Sequence, residues 1–142
     1  MDKKTLYRLF QLPRIIQQKR REIQRIEERL TAISPNLSGM PHGGVHDKIG
    51  EGVPDLVDKK NELKKLIRGY EAEQDRIEAW IDGIDDLQVQ LLMSLRFKER
   101  MSWNQVADEA GGNNTEDSCR KMIDRYLEKG DGNDDQGEKR NG

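Results

Sequence analysis

Arg120, Lys121 and Arg125 are the side chains of this sequence best suited to chemistry, and that chemistry is the holding of anions. Between 119 and 128, Cys119, Met122, Ile123, Tyr126 and Leu127 repeat at helical spacing on one face, while Arg120, Lys121, Asp124, Arg125 and Glu128 take the other. Guanidinium and ammonium groups on an exposed helix bind phosphate oxygens, and they meet base edges when the helix lies in a major groove. The residues upstream are suited to presenting such a helix. Thr115 stands at its N-cap, with Glu116 and Asp117 complementing the positive end of the dipole. Gly111-Gly112 supplies the positive φ that ends a preceding helix, and Asn113-Asn114 turns the chain. That earlier helix opens at Ser102, an N-cap with Gln105 three residues on to complete a capping box. Met101 and Val106 flank the cap as a hydrophobic staple, and Trp103, Val106, Ala107 and Ala110 carry the apolar stripe. A helix, a glycine turn and a second helix with basic residues outward has the shape of a major-groove reader. It is also the shape of an ordinary corner of two packed helices.

Other constellations are weaker. His42, His46 and Asp47 offer three metal ligands, but no fourth is evident and a glycine-rich loop does not hold ligands rigidly, so no metal is expected. Cys119 is the only cysteine; it excludes an internal disulfide, points to a reducing cytoplasm, and reads as a small core residue. No nucleophile–base pair, carboxylate dyad or phosphate-cradling glycine loop stands out, so neither an enzyme nor a cofactor is expected.

Two long helices precede this region. Leu6, Leu9, Ile16, Ile23, Ile26, Leu30 and Ile33 keep one alternating three-and-four frame, with Pro13 and Lys19 in its remaining slots. Pro13 should kink or restart that helix. The stretch 34–52, with two prolines and five glycines, predicts a long loop. Pro54 then opens a second helix, whose frame runs through Leu56, Leu63, Ile67, Tyr70, Ile77, Ile81 and Ile84, with Lys60 and Gln74 in polar slots. Two seams of matching length predict an antiparallel helical hairpin over 1–83. Asp85 should cap a further helix from Leu87 to Phe97, burying Leu87, Leu91, Leu92 and Leu95. With the pair of helices after it, this gives a three-helix unit over 84–129. The tail 130–142 holds no apolar residue and should be disordered.

Composition agrees with narrow buried stripes: 33% of the 142 residues are hydrophobic and 37% charged. No apolar run is long enough to span a membrane, and no signal-peptide block opens the chain. The net charge of −2 is unevenly spread: +5 over 1–33, −3 over 34–83, −2 over 84–129 and −2 over 130–142. The expected reader is thus slightly acidic, which counts against strong non-specific affinity for DNA, and the basic first helix could supply the missing attraction.

Four stretches together carry a family resemblance. They are Ser38-Gly39-Met40-Pro41-His42-Gly43, Ile84-Asp85-Asp86, Leu95-Arg96-Phe97 before Met101-Ser102-Trp103, and Asn114-Thr115-Glu116-Asp117-Ser118-Cys119-Arg120-Lys121. Residues 5–129 resemble a family of small phage and prophage proteins of Gram-positive bacteria, whose C-terminal part is similar to region 4 of sigma factors and to ArpU- and RinA-type late-gene regulators. The resemblance implies an all-α fold, a helical hairpin followed by a sigma region 4-like helix-turn-helix. It implies promoter or DNA binding in control of phage transcription, with double-stranded DNA as partner; the hairpin would be either a homodimerisation arm or a docking arm for RNA polymerase. Carried over by residue, the DNA-facing positions are Asn113, Asn114, Thr115, Ser118, Arg120, Lys121 and Arg125. The turn departs from the common spacing: Gly111 lies eight residues before Cys119 and Gly112 seven, against the usual six, and it leads into two carboxylates. A phage DNA-packaging adaptor of small-terminase type and a protein-interaction module are the alternative readings.

Overall fold

The computed structural model describes the backbone of residues 1–39 and 43–141 and the side chains of residues 1–33 and 52–130. The described chain is all-α: α1 (Lys3–Gly39), α2 (Gly43–Asp82), α3 (Leu87–Met93) continued by a π-helical turn (Ser94–Lys98), α4 (Trp103–Ala110) and α5 (Glu116–Asn141). The loop expected over 34–52, with His42, His46 and Asp47, and the tail expected after Lys129 fall on side chains outside the described residues. The bounds of α1, α2 and α5 nonetheless run into both stretches. Pro54 does not open α2 but lies inside it: its φ is compatible with a helix, though it forfeits a ladder bond and its ring crowds the preceding turn. The bounds of α1 likewise run through Pro13 without a restart.

Contacts divide the chain into two units, Pro13–Ala72 and a larger one of Met1–Leu12 with Glu73–Gly142. In Pro13–Ala72 the heptad frames have the expected faces. Ile16, Ile26, Leu63 and Ile67 are buried; Ile23, Leu30, Leu56 and Tyr70 are half-buried. Arg20 pairs with Glu71 at 2.7 Å and Lys60 with Glu27 at 3.0 Å. Partner numbers fall along α2 as they rise along α1, so these two segments run antiparallel. Lys19 and Lys60, the cations in polar seam slots, both find carboxylates, Lys19 taking Glu22 at 3.1 Å. Such exposed pairs contribute about 0–1 kcal/mol each, so the apolar seam carries most of the packing.

The larger unit is less regular. Asp2 caps α1 by accepting from the Thr5 amide at 2.8 Å. Leu6, Leu9 and Leu12 are buried, Leu12 rather than Pro13 turning inward. Ile77, Ile81 and Ile84 are buried near the end of α2. Arg8 grips both carboxylate oxygens of Glu73 with Nε and Nη2, and this fork holds the Glu73 carboxyl below its ordinary value. The cap of α3 is Asp86, not Asp85: its carboxylate accepts from the Gln88 and Val89 amides at 3.0 and 3.2 Å. The buried face of α3 differs too. Leu87 and Leu91 are 76% and 43% exposed, whereas Val89, Leu92 and Met93 are buried. The continuation explains the shift. The Glu99 amide donates to the Ser94 carbonyl at 2.9 Å, an i to i−5 bond of a π turn. That wider turn lets Leu92 and Phe97, five residues apart, both be buried, and Leu95 joins them. Two residues beyond the turn Arg100 takes φ 58°, a left-handed conformation costing a non-glycine residue roughly 1–2 kcal/mol.

Candidate nucleic-acid interface

The first element of the candidate site is the capped start of α4. The Gln105 amide donates to Ser102 Oγ at 3.2 Å, and the Ser102 amide donates to Gln105 Oε1 at 3.0 Å. Both halves of the expected capping box are therefore present. Val106 is fully buried and Ala107 nearly so, as the apolar stripe required. The helix stops at Gly111, and Gly111 and Gly112 hold φ of 72° and 65°. With ψ at −169°, Gly111 occupies a region essentially reserved for glycine.

Turn and second helix follow. Asn114 folds its side chain back, Nδ2 donating to the Gly111 carbonyl at 2.8 Å. Thr115 caps α5 in a reciprocal exchange: the Ser118 amide donates to Thr115 Oγ1 at 3.1 Å, and the Thr115 amide to Ser118 Oγ at 2.8 Å. Cys119, Ile123 and Leu127 are buried on the inner face of α5, with Met122 and Tyr126 half-buried beside them. Burial pushes the Cys119 thiol up, which suits a packing residue and not a nucleophile. Tyr126 meets Trp80 edge-on at 6.3 Å, and its hydroxyl is raised by burial, then by the charges of Asp85 and Asp86.

The seven expected contact residues lie together in the turn and the first turns of α5, in different states of engagement. Asn113 is exposed. Asn114, Thr115 and Ser118 spend side-chain hydrogen bonds on the turn and cap. Lys121 is paired with Asp117 at 3.0 Å along the helix, both side chains being over 60% exposed. Arg120 lays its guanidinium over the Trp103 ring at 5.5 Å. Arg125 is exposed one turn and more beyond. Acidic Asp124 on the same helix is met by Lys3 of α1 at 2.8 Å, so the basic N-terminus stands against α5.

A second cation has no signal in the local sequence. The Arg96 guanidinium lies over Trp103 at 4.7 Å, Phe10 at 4.8 Å and Tyr7 at 5.8 Å, and Nη1 donates to the Met101 carbonyl at 2.7 Å. Tyr7, Phe10 and Phe97 form a mutual ring cluster with centroids 5.3 to 5.8 Å apart. Tyr7 and Phe10 lie some ninety positions before Arg96 and Phe97, beyond any spacing rule. Arg100 adds a strut, its Nε donating to the Leu9 carbonyl at 3.3 Å.

No family model, curated protein or solved structure matches the chain. Among the described residues no cluster of three metal-ligating side chains occurs, and no helix is long and apolar enough to cross a membrane.

Proposed function

We propose that the chain is a DNA-binding regulator of phage or prophage transcription, reading duplex DNA with α5 as a sigma region 4-like helix-turn-helix. The observation that carries the reading is the doubly capped α4–Gly111-Gly112–α5 arrangement, which leaves Arg120, Lys121 and Arg125 exposed on one short stretch of helix. Arg125 and Lys121 hold phosphates, while Arg120 and Asn113 approach base edges. Asn114, Thr115 and Ser118 set the pitch of the turn in addition to any contact of their own. Lys3 offsets Asp124, so the first turn of α1 supplies part of the attraction that an acidic segment lacks. The antiparallel segments of Pro13–Ala72 act as a helical hairpin, a dimerisation arm or a docking arm for RNA polymerase.

A second reading, a protein-interaction module, is favoured by one observation. The exposed part of α5 includes Glu116, Asp117 and Glu128, and Lys121 is already neutralised by Asp117. Selection of duplexes from a random pool, followed by sequencing of the retained fraction, separates the two. Enrichment of one short motif supports the DNA reader; an unenriched pool at low salt leaves the protein-interaction module in its place.

A further inference from the structure

Trp103 is half-buried at the first position of α4, where the capping box fixes the backbone. Two guanidinium groups lie over its ring, Arg96 at 4.7 Å and Arg120 at 5.5 Å. Their surroundings differ. Arg96 is enclosed by Tyr7 and Phe10 and donates to a backbone carbonyl, whereas Arg120 is exposed. A long exposed arginine normally samples many rotamers, and ordering it on a ligand costs side-chain entropy. An aromatic face attracts the planar cation and meets part of that cost before binding.

We propose that Trp103 is a positioning residue: its indole, held by the Ser102–Gln105 box and by Arg96, keeps the Arg120 guanidinium beside the start of α4 in the orientation used to contact a base edge. The inference rests on the DNA-binding reading and deepens it, because it makes α4 part of the specificity of α5. Arg120 then does not act as a mobile phosphate-holding cation. Its discrimination depends on a ring seventeen positions upstream in the sequence.

The test uses the full chain with Trp103→Leu, which keeps apolar bulk, and Trp103→Phe, which keeps a ring, each alone and combined with Arg120→Ala. In nuclear magnetic resonance spectra of the free protein, the Arg120 Hδ protons should be shifted upfield by the ring in wild type and Trp103→Phe, and lose that shift in Trp103→Leu. On the selected duplex, Trp103→Leu should lower the preference over a one-base mismatch by about 2- to 5-fold, with Trp103→Phe restoring it. The salt slope should stay unchanged, because no phosphate contact is lost. Trp103→Leu combined with Arg120→Ala should discriminate no worse than Arg120→Ala alone. Additive losses, or an unshifted Arg120 in wild type, overturn the positioning role while leaving the DNA reading standing. Wild-type protein that binds no duplex at low salt overturns the reading itself, and the role built on it.

Discussion

The two units reach a folded state by different means. In Pro13–Ala72, two helices present one repeating seam each; Ile16, Ile26, Leu63 and Ile67 are buried, and ion pairs Arg20–Glu71 and Glu27–Lys60 bridge the flanks. In the larger unit, side chains from α1, the end of α2, α3, the π turn, α4 and α5 enter the core, and Phe97, Leu92, Met93, Ile123, Val106 and Cys119 are almost wholly excluded from water. A seam is periodic and forgiving, since each layer resembles the next. A core assembled from several short elements is specific, since each residue has one place. The specific unit carries the cations proposed to read DNA, and such a site must hold its side chains to within about half an ångström.

Perturbations of equal chemistry should therefore cost more in the larger unit. Val106→Asp places an unpaired carboxylate at a fully buried position and should abolish its cooperative melting, an effect of several kcal/mol. Phe97→Ala should cost about 3–5 kcal/mol by calorimetry, with lost ring contacts to Tyr7 and Phe10 adding to the cavity. Ile67→Ala, in the seam, should fall near about 2 kcal/mol because two helices can close around the gap more freely than a many-sided core. A loss at Ile67 equal to that at Phe97 would erase the distinction between the units.

Smaller effects sharpen the picture inside the larger unit. Gly111→Ala should cost about 1–3 kcal/mol, though a Cβ there meets no atom within 4 Å, because the strain lies in its backbone angles and not in crowding. Ser102→Ala removes the acceptor of the capping box and should cost about 1 kcal/mol in chemical denaturation. The smallest is a pH effect. Glu73 has its folded pKa lowered by Arg8, so its stabilisation is present above the ordinary carboxylate value of 4.5 and is lost as pH falls through the folded value. With Arg8 47% exposed, the contribution is at most about 1 kcal/mol, and Glu73→Gln should flatten the acid limb of the stability profile by that amount.

How far the sequence could be read follows the same division. Caps are local chemistry, so Ser102 with Gln105, Thr115, and the positive φ of Gly111 and Gly112 were all legible. The heptad frames were legible because repetition averages out single misplacements such as Pro13. Asp86 rather than Asp85 was not legible, because adjacent aspartates are equivalent caps until the packing of Val89 and Leu92 fixes the helix phase. The π turn defeated the expected face of α3, since any count of three and four fails once a five-residue turn enters. The enclosure of Arg96 by Tyr7 and Phe10 was invisible for a different reason: those rings lie some ninety positions away and meet it only through tertiary folding. The seven expected contact residues were carried over from a family resemblance, which could not tell which side chains the turn itself consumes, as it does Asn114, Thr115 and Ser118.

The central claim is that α5 reads duplex DNA, and fluorescence anisotropy of a labelled selected duplex at several salt concentrations tests it most directly. Wild type should bind at low salt and weaken steeply as salt rises. Arg125→Ala should lower affinity alike on all sequences and flatten the salt slope by about one unit. Arg120→Ala should cost roughly 1–3 kcal/mol on the selected site and relax preference at one base pair, with Lys121→Ala showing some of each. Absence of binding by wild type at low salt, or three variants indistinguishable from it, would contradict the account.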